Sequence, residues 1–196
     1  MKPIIYFLSY QNDLFKIKKN ELLQYGFQHY FGFPYLEADI FIEENGKPVL
    51  SPSLFPHHYF NLPHSKHYMA LCCSDTAIGI DLEEPRKFST HLLNRISSLT
   101  ELEIINSYPD QEKIGLLLWT LKEAYIKYLG VGLTYPLADM QVPLKADLNL
   151  DCDYFMLKSE PLTMKPLFFH CFQLNDYRIT LCSETNQISE LIQIKQ

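Results

Sequence analysis

Residues 111–129 carry a helical apolar pattern that puts Glu123 and Lys127 at i and i+4 on one face, with Leu116 and Trp119 above them. Such a pair is either an ordinary surface ion pair or one carboxylate and one ammonium aimed at the same point. Leu117, Leu121, Ala124 and Tyr128 make a second stripe, suited to burial against a sheet. Gly130 and Gly132 then stop the helix. A second segment, Gly79 to Glu83, alternates: Ile80 and Leu82 take one face of a strand, Asp81 and Glu83 the other, with the acids roughly 7 Å apart. A solvated outer face is one reading. The other starts from the repulsion of neighbouring carboxylates and the scarcity of Asp in strands, both of which a hard cation offsets. Magnesium takes few carboxylates, several waters and the phosphate oxygens of a substrate, so Asp81, Glu83 and Glu123 fit it as a third-party ligand set. Spacing alone leaves both readings open.

The remaining chemistry-bearing residues are weaker singly. His64 and Ser65 follow a turn at Asn61, Leu62 and Pro63 and could present donors to a phosphate. Equally, His57, His58, His64 and His67 could be loop histidines without a role. They lack cysteine or carboxylate partners at zinc-ligand spacing. Lys47 is stiffened by Pro48. The chain has no glycine-rich phosphate loop, nucleophile elbow or paired-histidine zinc motif.

The elements that must position these residues read as α+β. At 196 residues, 47% hydrophobic and 20% charged, the chain has material for one large domain or two small ones packed together. No run reaches the ~18 apolar residues of a membrane span, and the apolar start is too short for a signal peptide. Five cysteines without metal spacing read as buried hydrophobes in a reducing cytoplasm. A net charge of −6 argues against nucleic-acid binding, although Lys16, Lys18 and Lys19 could form a local basic patch or simply a solvated face. Strands are expected at 4–8, 38–42, 48–50, 68–73, 77–82, 139–143, 153–158, 167–174 and 177–182. Asn45-Gly46 predicts a hairpin between the second and third, and Ser74 to Thr76 a hairpin between 68–73 and 77–82. Helices are expected at 18–30, 89–97 (capped by Ser89 or Thr90), 101–107 and 111–129, with a capping box from Thr100 to Glu103. Residues 51–66 read as loop.

Taken in order, these segments resemble the 4′-phosphopantetheinyl transferases of the surfactin-synthetase-activating (Sfp) type. The resemblance rests on Gly46 to Pro48, Phe60 to Ser65, Gly79 to Glu83, Arg95 with Leu99 to Glu101, Trp119 to Ala124, and Gly132-Leu133 with Pro136-Leu137. Tyr177 to Cys182 looks like the family's closing strand. The resemblance implies two similar α/β halves related by a pseudo-twofold. Residues 1–76 would be a first half shortened at its N-terminus, and 77–196 a second half carrying most of the site. It implies transfer of the phosphopantetheine arm of coenzyme A to a serine of an acyl or peptidyl carrier protein, with Mg²⁺ and release of 3′,5′-ADP, by a cytoplasmic monomer. By position, Asp81, Glu83 and Glu123 would hold the metal. Lys127 would contact a phosphate, Lys47 and Pro48 would border the adenine end, and His64 with Ser65 would lie against a phosphate. Glu123 or Glu101 would be the general base, although an acid in a helix's first turn is also explained by the helix dipole. Two features depart from the family pattern: Pro63 stands where it has a serine, and no arginine precedes Arg86. The 3′-phosphate contact would then fall to Lys16, Lys18 or Lys19. A degenerate, non-catalytic module that binds a carrier protein or coenzyme A is the alternative.

Overall fold

The computed structural model describes residues 1–132, 135–159, 165–187 and 190–194. The chain builds β1 (Ile4–Ser9), α1 (Phe15–Tyr30), a hairpin of β2 (Ile40–Ile42) and β3 (Pro48–Leu50), then β4 (Tyr59–Asn61), β5 (His64–Ser65) and β6 (Tyr68–Ser74). It continues through β7 (Ile78–Glu83), α2 (Thr90–Ile96), α3 (Leu99–Ser107), α4 (Gln111–Leu129), β8 (Tyr154–Lys158), β9 (Phe168–Leu174), β10 (Tyr177–Ser183) and β11 (Glu190–Gln193). One sheet runs β11-β1-β6-β4, with β5 also on β6. The other runs β7-β10-β9-β8. The class is α+β, as expected.

In the first sheet β1 pairs antiparallel with β6, and in the second β7 pairs antiparallel with β10. Each of these partners then pairs with an earlier strand, β6 with β4 and β10 with β9. The expected boundary at 76/77 falls between β6 and β7, but β11 returns from the end of the chain to pair parallel with β1.

The two sheets meet face to face through Ile5, Phe7, Ala70 and Cys72 on one side and Ile78, Ile80, Leu82, Ile179 and Leu181 on the other. Each outer face is covered by one long helix. Leu22, Leu23 and Phe27 of α1 pack on Tyr6, Leu8 and Leu71, and Leu117, Leu121 and Ala124 of α4 pack on the second sheet. Each large apolar side chain fully buried in these layers contributes roughly 1.5–3 kcal/mol. Because both sheet faces are covered, β1 and β6 read as apolar runs rather than clean alternations, and β10 is buried throughout although it carries Arg178 and Thr180. All five cysteines are free, four of them buried.

Four expectations change. The segments at 68–73 and 77–82 do not form a hairpin: β6 already has β1 and β4 on its two edges, so the chain turns at Ser74 to Thr76 and β7 enters the other sheet beside β10. The strand expected at 139–143 is absent. A 3₁₀ turn, Leu137–Asp139, leads into unpaired backbone, and Pro143 has no N–H to give a ladder. The capping box lies two residues earlier than expected: Ser98 accepts from the Glu101 N–H at 3.3 Å, and Glu101 accepts from the Ser98 N–H at 2.8 Å. The loop at 51–66 contains β4 and β5, one strand's worth of pairing broken at Leu62 and Pro63.

Candidate active site

The closeness of α4 to β7 begins with Gly79. A Cβ there would stand 2.0 Å from the Ala124 carbonyl oxygen and 2.2 Å from the Tyr128 nitrogen, so only glycine lets the helix backbone touch the strand. Alternation along β7 then turns Asp81 and Glu83 toward the same helix, while Ile80 and Leu82 enter the inter-sheet layer. The solvated-face reading therefore does not hold: Asp81 is 4% exposed and Glu123 8%.

Lys127 does not pair with Glu123 one turn away. Its Nζ lies 2.6 Å from Asp81 Oδ1, across from the helix. The other Asp81 oxygen, Oδ2, and Glu123 Oε1 are buried and have no hydrogen-bond partner. Glu123 is pushed up to about 7, first by burial and then by the charge of Asp81, against the pull of Lys127. Burial and Asp81 also raise Glu83, against the hydrogen bond from Trp119. Asp81, Glu83, Glu123 and Lys127 are thus close enough for their charges to act on one another. Among the described residues no group of three or more His, Cys, Asp and Glu side chains is placed to hold a metal ion. The two orphaned oxygens are the groups a cation would find.

Glu83 is gripped from two sides. The Trp119 indole N–H donates to Oε1 at 3.0 Å, and the Ser65 hydroxyl lies 3.5 Å from Oε2 while accepting from the Glu84 N–H. Trp119 is therefore partly exposed and polar in function, not simply core. Neighbouring Asn61 accepts from the Ile80 N–H at 3.3 Å, covering the free edge of β7.

At the other end, Asn45, Gly46, Lys47, Pro48, Leu62, Pro63, Lys127 and Gly130 line a cavity of about 240 Å³. Lys47 Nζ donates to the Lys127 carbonyl at 2.6 Å and Asn45 to that of Gly130, so the β2–β3 hairpin is tied to the end of α4. Gly130, at φ 67°, supplies the left-handed turn that ends the helix. A larger cavity of about 800 Å³, which also borders Asn45, Lys47 and Gly130, opens among Val49, Phe55, Tyr59 and Tyr128 and is not lined by Asp81, Glu83 or Glu123. His64 stands against the Phe15 ring at 4.9 Å, and burial together with the charges of Lys127 and Lys19 lowers its pKa. Of the three N-terminal lysines, Lys19 is near enough for its charge to act on His64, whereas Lys18 pairs with Glu21. Leu133 lies outside the described residues.

Glu101 is held by another lysine. Its Oε2 meets Lys122 Nζ at 2.6 Å, and Lys122, fully buried, also donates to the carbonyls of Ile96 and Leu137. Glu101 thus has a buried partner of its own in Lys122, whereas Asp81 has Lys127. Sequence reasoning missed Lys122, Arg86 and Asn61. The signal for Lys122 was a charge placed directly after the uncharged run from Ile114 to Leu121.

Residues 77–182 match the family model of the 4′-phosphopantetheinyl transferase superfamily. A Bacillus subtilis 4′-phosphopantetheinyl transferase is 29% identical over 157 residues, which cover 79% of this chain and 66% of that protein. A Bacillus pumilus 4′-phosphopantetheinyl transferase is 36% identical over 107 residues, covering 54% of this chain and 45% of that protein. The chain therefore spans between about half and two thirds of these relatives. The crystal structure of Thermotoga maritima holo-[acyl-carrier-protein] synthase overlaps 55% of this chain and 61% of its own at 19% identity and a TM-score of 0.36, a slight likeness.

Proposed function

The chain belongs to the 4′-phosphopantetheinyl transferase superfamily, and we propose that it transfers the phosphopantetheine arm of coenzyme A to a serine of an acyl or peptidyl carrier protein, releasing 3′,5′-ADP. The observation that carries this reading is the buried pair Asp81 and Glu123, with half-buried Glu83 and Lys127 beside them and with Asp81 Oδ2 and Glu123 Oε1 lacking partners. Those oxygens suit Mg²⁺, which asks few protein ligands and completes its shell with water and phosphate. Bound there, it would neutralise charge on the diphosphate of coenzyme A.

The residues of the chain do the rest. Lys127 would leave Asp81 for a diphosphate oxygen and stabilise the charge that develops as the bridging P–O bond breaks. The serine oxygen forms the new bond to phosphorus, and 3′,5′-ADP departs with the electron pair. Glu123 is the favoured acceptor of the serine proton, directly or through a water, since burial and Asp81 push its carboxyl up to about 7, where a general base works best. His64 and Lys19 would face a phosphate, and the cavity at Lys47 and Pro48 would take the adenine end.

On this reading residues 1–76 and 77–196 act as two halves around one site, and the protein works as a monomer in the cytoplasm, where its five cysteines stay free. No helix among the described residues is long and apolar enough to cross a membrane. The test is a mass shift. Apo-carrier proteins of fatty-acid, polyketide and peptide-synthetase type are incubated with the protein, coenzyme A and Mg²⁺, and at least one gains the mass of a phosphopantetheine. No gain in any, with coenzyme A bound equally well in chelator, would instead support the non-catalytic binding module.

A further inference from the structure

Trp119 is the single tryptophan of the chain, and both its ends are engaged. Its indole N–H holds Glu83, and its ring face carries the Arg86 guanidinium, 4.4 Å from the ring centroid. The same guanidinium lies 4.8 Å from the Phe88 ring. Its Nε and Nη2 are buried without any hydrogen-bond acceptor, so ring faces, rather than carbonyls or carboxylates, hold those atoms. A half-buried indole can tilt about its χ angles, and an N–H···O bond weakens steeply as its angle closes. Whatever fixes the ring plane therefore fixes where Glu83 points.

We propose that Arg86 is a positioning residue which, stacked between Phe88 and Trp119, fixes the indole so that its N–H holds the Glu83 carboxylate toward Asp81 and Glu123. Arg86 need touch neither substrate nor cation to do this. The proposal rests on the reading of the three acids as a divalent-cation site. It is tested without carrier protein or turnover, so its failure is distinct from a failure of the transferase reading.

The single tryptophan makes the experiment direct. Mg²⁺ alone is titrated into the ligand-free protein while Trp119 emission is followed, with calorimetry in parallel. Arg86→Met is expected to weaken the Mg²⁺ response about 10- to 100-fold, the usual cost of losing a partner behind a ligand. Its melting temperature should stay close to that of the unaltered protein, and Arg86→Lys should recover part of the loss. Trp119→Phe, followed by calorimetry, should weaken Mg²⁺ similarly. The double variant should be no weaker than Trp119→Phe alone, because both changes act through one contact. The proposal is overturned if Arg86→Met leaves the Mg²⁺ response within about twofold, or if the losses of the double variant multiply. A fall in melting temperature that tracks the affinity and is not recovered in Arg86→Lys also overturns it, as a packing role. If the unaltered protein shows no Mg²⁺ response by either readout, the cation reading fails. Arg86 is then judged by ligand-free emission: Arg86→Met and Glu83→Gln must shift it in the same direction, and an unshifted Arg86→Met spectrum overturns the proposal.

Discussion

Replacing Glu101 by glutamine removes one charge and almost no volume, which makes it a sharp test of what this carboxylate does. Its Oε2 accepts from Lys122 Nζ at 2.6 Å and from the Ser98 N–H at 2.8 Å, and the two charged side chains are 6% and 0% exposed. Breaking a buried pair from one side costs about 3–5 kcal/mol. Glutamine keeps one acceptor oxygen, and Lys122 retains the carbonyls of Ile96 and Leu137, so the loss should be smaller, ~2–3 kcal/mol, the worth of one charge-assisted bond. At ~2–4 °C per kcal/mol for a chain of this size, the melting temperature should fall by ~4–12 °C. Thermal unfolding is measured beside carrier-protein modification, the latter well below the transition. Turnover per folded molecule should stay within about threefold of the unaltered protein, less than 1 kcal/mol in the barrier. Lys122→Met, which strands the carboxylate, should cost the full ~3–5 kcal/mol. A Glu101→Gln protein that melts normally but turns over ~100-fold more slowly would refute the reading of Glu101 as the partner of Lys122 rather than of the reacting groups.

Three other outcomes follow from the same geometry. Gly79→Ala puts a carbon 2.0 Å from the Ala124 carbonyl and should cost ~1–3 kcal/mol or more in denaturant unfolding, with activity lost beyond that; stability unchanged within ~0.5 kcal/mol would mean that α4 is not held so close. Lys127→Met frees Asp81, so calorimetry should show Mg²⁺ alone binding at least as well, while coenzyme A binding weakens by about 10-fold or more. Loss of both together would contradict the exchange of partners. The pH dependence turns on Glu123: the folded protein holds this proton up to about 7 against an ordinary 4.5, so the associated stability is present below about 4.5 and lost as pH rises toward 7. In chelator, unfolding free energy should fall by ~3 kcal/mol across that window, and Glu123→Gln should flatten the curve; an unchanged slope in the variant removes Glu123 as the source.

What could be read from the sequence was what is local. The α4 period, its end at Gly130, the alternation in β7 and the Ser89 cap all depend on residues within a turn or two of each other. What failed depends on a distant partner. Ser74 to Thr76 looks like a hairpin turn because nothing in it records that β6 already has two neighbours, and β11 pairs with β1 from nearly the whole chain away. Lys127 was read toward Glu123 because helix geometry puts them together, but a strand supplies Asp81 closer. Lys122 and Arg86 escaped for a related reason: a buried lysine or a stacked arginine is defined by the carbonyls and rings that other elements bring to it.

The acids themselves were legible for a metric reason. From Gly79 to Glu83 the strand advances four residues, about 13 Å at ~3.3 Å each. The helix runs the opposite way, and Gly79 lies under Ala124 and Tyr128, Asp81 meets Lys127, and Glu83 meets Trp119. From Tyr128 back to Trp119 is nine residues, also about 13 Å at 1.5 Å each. Two motifs far apart in sequence are therefore the same length in space, laid antiparallel, and the glycine that begins one sets the distance at which all the later pairs meet. Each side chain of the pair of motifs acquires its partner from that single alignment. For this reason the spacing within each segment, rather than any one residue, carries the information about the site.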